Sequence, residues 1–109
     1  MRNLVRASVL LLALVLSEPV LAGPLQDAHA AYVKQDYATA LRLFRPLADQ
    51  GDVEAQDYLG YMYQHGLGVP QDYAQAVQWY RLAADRGYAR AQDYLGGMGS
   101  REETEIIAR

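Results

Sequence analysis

A short right-handed, all-α solenoid of antiparallel helix pairs is predicted by three features of the 109-residue chain. The first is an internal repeat. Gln35 to Tyr63 and Gln71 to Gly99 are offset by 36 residues and identical at 16 of 29 positions. The second is helical periodicity with small residues at shared positions, Ala40/Ala76, Ala48/Ala84 and Ala55/Ala91, beside apolar Leu59/Leu95 and Met62/Met98. Small side chains at that spacing let helices approach closely. The third is punctuation: Gly51 and Gly87 stand where one helix must stop in a left-handed turn before the next starts.

Each element follows from period and caps. Helices are predicted over Leu25 to Lys34, Tyr37 to Asp49, Val53 to Gln64, Gln71 to Arg86, and Ala89 to about Leu95. Asp36, Asp52 and Asp72 lie at helix starts, where a carboxylate accepts otherwise unpaired backbone N–H groups. Gly66 and Gly68 suit positive φ in the long connection, and Pro70 suits the first turn of the fourth helix. On that helix Ala76, Tyr80, Ala83 and Ala84 share one face, leaving Gln75, Gln78, Arg81 and Asp85 solvated. Helical glycine costs about 1 kcal/mol relative to alanine, so the run Gly96-Gly97-Met98-Gly99 predicts fraying of the fifth helix. Ser100 and Glu103 fit a capping box, predicting a short final helix or tail over 100–109, with Ile106 and Ile107 packed on the stack.

Before the repeats, Met1 to Arg6 is basic, Ala7 to Leu16 is apolar, and Val20-Leu21-Ala22 forms a small-residue exit. This order is that of a secretory signal peptide cleaved after Ala22. The apolar run spans about 15 Å as a helix, half the thickness of a bilayer core, so no stable membrane span is expected after cleavage. Removing 22 of 109 residues leaves 87, with 8 basic against 12 acidic side chains, in the periplasm or outside the cell. The helical repeat domain then occupies 23–99. Two repeats without a disulfide make a marginal core, which predicts docking or self-association through the C-terminal face.

Composition excludes several chemistries. A net charge of −3 gives no basic surface for nucleic acid. With no cysteine there is no thiol nucleophile, thiolate metal site or disulfide scaffold. The two histidines, His29 and His65, lie in different repeats. Asp49, Asp52 and Glu54 cluster around Gly51, but Tyr88 and Arg90 replace the latter two acids one unit later, as at a solvated corner. Ser100 is the one serine after the signal and has no neighbouring base. No catalytic residue, metal or cofactor is assigned. Tyr37, Tyr63, Tyr73 and Tyr80 read as core or semi-core rings with hydroxyls at the surface. Asp57, Tyr61 and Gln64 form an i, i+4, i+7 row that Asp93 and Gly97 continue in the next unit. An aromatic flanked by acid and amide suits a partner-binding groove, and the same row also reads as a solvated stripe.

Ala55 to Gly87 resembles one complete Sel-one-like repeat, in Leu59-Gly60, Met62-Tyr63, Gly66, Gly68-Val69, Asp72, Ala76, Trp79-Tyr80, Ala83-Ala84 and Gly87. The partial units on either side extend the likeness over Leu25 to Met98. The first helical pair lacks the glycine insertion and is similar to a plain tetratricopeptide unit. Tyr58 and Tyr94 stand where similar repeats often carry Asn, which puts a side-chain to backbone ladder along the groove in question. The resemblance implies a non-enzymatic adaptor that presents a concave groove to a protein or peptide, in envelope signalling or complex assembly. Its alternatives are a β-lactamase-like or penicillin-binding enzyme, as in cysteine-rich relatives, and a purely structural subunit of an envelope complex.

Overall fold

The computed structural model describes the backbone of residues 23–108 and the side chains of 23–99. The signal segment read from 1–22 lies outside the described residues, as do the side chains of Ile106 and Ile107. Five helices follow one another: α1 Pro24–Val33, α2 Tyr37–Asp49, α3 Val53–His65, α4 Tyr73–Asp85 and α5 Ala89–Ala108. Each packs on its neighbours in sequence, which is the arrangement of a helical solenoid.

Three aspartates begin three of these helices. The N–H of Thr39 donates to Asp36 at 3.3 Å, that of Ala55 to Asp52 at 2.9 Å and that of Gln75 to Asp72 at 3.1 Å. α2 and α4 each end two residues before a glycine, Gly51 and Gly87, at φ +97° and +87°. Gly66 and Gly68, at +67° and +71°, turn the chain from α3 toward α4. α4 starts at Tyr73, so Pro70 lies in the connection and not in the helix.

α5 departs most from expectation. It runs unbroken through Gly96, Gly97 and Gly99, and no new helix starts at Ser100. Met98, beyond the first two glycines, is 4% exposed in the second core cluster, so packing outweighs the local propensity of the glycines.

The core has two layers. Ala28, Ala40, Phe44, Ala48, Ala55, Leu59 and Met62 form the first, and Ala76, Tyr80, Ala83, Ala91 and Met98 the second. The repeated alanines hold the helices close, and one ring, Phe44 or its counterpart Tyr80, fills the centre of each layer. A ladder does cross the repeats, carried by glutamine. Gln56 Nε2 donates to the Ala48 carbonyl and Gln92 Nε2 to that of Ala84, both at 3.1 Å. Arg86 adds a bond to the Gly51 carbonyl at 2.8 Å, tying one inter-helix corner to the next.

At Gly60 the Tyr80 ring of α4 packs directly against α3. A methyl there would lie 2.6 Å from the Tyr80 ring, whereas one at the equivalent Gly96 meets no atom within 4 Å. Gly60→Ala is therefore expected to cost about 1–3 kcal/mol through overpacking, and Gly96→Ala to stabilise α5 by up to about 1 kcal/mol. Urea midpoints of the two variants test this contrast, and equal effects would refute it.

Candidate functional site

The first helix of each pair contributes one wall to a small recess. Tyr32 comes from α1, Asp57, Tyr58 and Tyr61 from α3, and Arg90 and Tyr94 from α5, enclosing a cavity of about 160 Å³. The i, i+4 spacing places Asp57 and Tyr61 together on α3. Tyr58 turns toward the other side of the recess, its ring stacked on Phe44 at 4.7 Å between centroids.

At its centre is an ion pair. Asp57 is 1% exposed, and its Oδ2 accepts from Arg90 Nε at 2.6 Å and from Nη2 at 2.5 Å. Asp57 Oδ1 is buried and accepts no hydrogen bond among the described residues. An unmet buried acceptor costs about 1–3 kcal/mol. The Arg90 guanidinium lies 5.1 Å from the Tyr58 ring centroid and 5.8 Å from that of Tyr88, so aromatic faces hold it in place. Burial pushes the Asp57 carboxyl above its ordinary value, and Arg90 only partly offsets this. Arg90 is itself partly buried, which works against its charge, but the hydrogen bond and attraction of Asp57 prevail and raise it. Burial, helped by the neighbouring phenols, lifts Tyr32 to about 12, and raises Tyr94.

Because the folded pKa of Asp57 lies above the unfolded value of 3.8, the native state binds more protons in that window. Stability contributed by this group therefore falls as pH rises through it. Asp57→Asn removes the titration. The stability of the natural chain relative to this variant is expected to decline as pH rises from 3.8 through the folded pKa, and a rising difference would refute the assignment.

Of the four residues read as a groove row, the recess contains two. Tyr61 is half-buried, its ring 4.2 Å from that of His65 and 5.8 Å from that of Tyr94. Asp57 is buried where the Arg90 side chain reaches it from α5. Gln64 is also buried, 7% exposed, and its Oε1 accepts from the Tyr80 hydroxyl at 2.8 Å. The Tyr80 hydroxyl is thus inside the core and not at the surface. Tyr73, at 41% exposed, is less enclosed than a semi-core ring. Asp93 is exposed and outside the recess.

Arg90, read as part of a solvated corner, instead reaches back 33 residues to Asp57. Glu54, its counterpart one repeat earlier, lies 3.1 Å from His29 Nε2. The verbatim repetition of Ala-Gln-Asp-Tyr-Leu-Gly at 55–60 and 91–96 was the available sign that Gln56, Tyr58 and Tyr94 matter. Among the described residues no cluster of His, Asp and Glu has the makings of a metal site.

The family model of the Sel1 repeat matches residues 27–52 and again 53–88, more than half of the chain. No curated protein matches the chain at a significant level.

Proposed function

The chain belongs to the Sel1 repeat family, and we propose that it is an exported adaptor whose α1, α3 and α5 face holds an extended segment of a protein partner. Sel1 repeats generally mediate protein–protein interactions. The observation that carries the reading is the recess itself: three successive first helices contribute tyrosines and a buried ion pair to one concavity. Tyrosine offers large contact area at low entropy cost, and a guanidinium held against rings is a frequent anchor at interfaces. Export rests on the basic, apolar, small-residue order of 1–22. Among the described residues no helix is long and apolar enough to cross a membrane.

The test is selection of a displayed random-peptide library on the immobilised chain, repeated with Tyr61→Ala. Tyr61 is only half-buried, so its truncation is expected to weaken selected peptides about tenfold or more while the melting temperature changes little. Equal loss of stability and binding would make Tyr61 a core residue. Failure to select any peptide would overturn the groove.

A further inference from the structure

We infer that the recess between Tyr32, Tyr58, Tyr61 and Tyr94 is a subsite for a carboxamide side chain, Asn or Gln, of the partner segment. The inference rests on the groove reading and specifies what the groove reads.

Charge selects the class. The recess already holds one carboxylate and one guanidinium in direct contact. An incoming ammonium is drawn to Asp57 but repelled by Arg90, and an incoming carboxylate the reverse, so the neutral pair gives either ion little net attraction to offset its like-charge repulsion and its desolvation. A neutral group escapes both penalties.

Hydrogen bonding narrows it further. Asp57 is 99% buried, yet its Oδ1 is an acceptor without a donor. Beside it, Arg90 commits two N–H groups to Oδ2 and has a guanidinium with five, on a side chain 45% exposed. A ligand that engages both groups presents a donor and an acceptor side by side, the pattern of a carboxamide. Its N–H₂ would donate to Oδ1, and its C=O would accept from the guanidinium.

Shape agrees. The faces of Tyr58 are taken by Phe44 and Arg90, which leaves the rings of Tyr32, Tyr61 and Tyr94 to border a planar group, and about 160 Å³ admits one side chain but not a helix. A main-chain amide would have to carry its chain in and out of the same recess, whereas a side chain enters from one end.

The test titrates the folded, isotope-labelled chain with four probes while Arg90 Nε and the Tyr61 and Tyr94 rings are followed by NMR. The probes are propionamide, N-methylacetamide, propylammonium and propionate. Propionamide is expected to give saturable shifts at all three sites and to bind about tenfold tighter than either ion. Tyr94→Leu, checked for an unchanged fold by its amide spectrum, is expected to abolish the shifts at Arg90 Nε and the Tyr61 ring. Ion binding as tight as propionamide would overturn the inference, as would equal binding of N-methylacetamide, which would mark a main-chain site. If no probe binds but library peptides still bind through Tyr61, the carboxamide subsite falls and the groove stands. If no peptide binds either, the groove falls with it.

Discussion

Phe44→Ala is expected to remove about 3–5 kcal/mol of stability, the usual cost of truncating a buried ring. Phe44 is fully buried at the centre of the first core layer. Its ring stacks on Tyr58 at 4.7 Å with a 7° interplanar angle and meets the edge of His29 at 5.6 Å. Alanines line much of the rest of that layer, so no large neighbour is available to collapse into the space. Domains of this size are stable by only about 5–15 kcal/mol, so the variant should lie close to unfolding at ambient temperature. A urea midpoint shift with unchanged slope checks it. The effect should also extend to the recess, because Tyr58 is both the stacking partner of Phe44 and a wall of the cavity. A loss of less than about 1 kcal/mol would mean that the two layers are not packed as described.

Most of the architecture was legible because it rests on local chemistry repeated in register. An aspartate at each of three helix starts and a glycine after α2 and α4 fix boundaries through interactions within a few residues. The error at α5 had a different origin. Its glycines oppose a helix locally, but Met98 is held in the core by contacts that no local propensity contains. The candidate site divides in the same way. Asp57 and Tyr61 belong together by helical spacing alone. Arg90 was hidden, since its partner is 33 residues away and comparison of repeats set it against Glu54, an acid serving a different neighbour. Tyr80 belongs to the core on the sequence reading but with its hydroxyl outward, because the same reading assigns the buried acceptor that satisfies it, Gln64, to the partner-facing row. Side chains that pair between successive repeats are thus the part least visible in one repeat read alone.

Arg90→Ala is expected to be the most disruptive change at the recess, costing about 2–3 kcal/mol. Removing one partner of a fully buried ion pair typically costs about 3–5 kcal/mol. The figure is lower here because the Arg90 side chain is 45% exposed, so part of the attraction is already screened by solvent. What remains is the penalty on Asp57, which is 1% exposed and would have neither oxygen paired. Arg90→Lys should recover only part of the loss, since an ammonium replaces the Nε and Nη2 donors with a single point of contact and packs less well against Tyr58 and Tyr88. Combining Asp57→Asn with Arg90→Ala removes the stranded charge. The double variant is therefore expected to be more stable than Arg90→Ala alone, giving a coupling energy of about 1–2 kcal/mol in a double-mutant cycle. Chemical denaturation of the four proteins at one pH measures it. Additive effects would show that the pair contributes no mutual stabilisation, and that Arg90 holds the α3–α5 junction by ring packing alone.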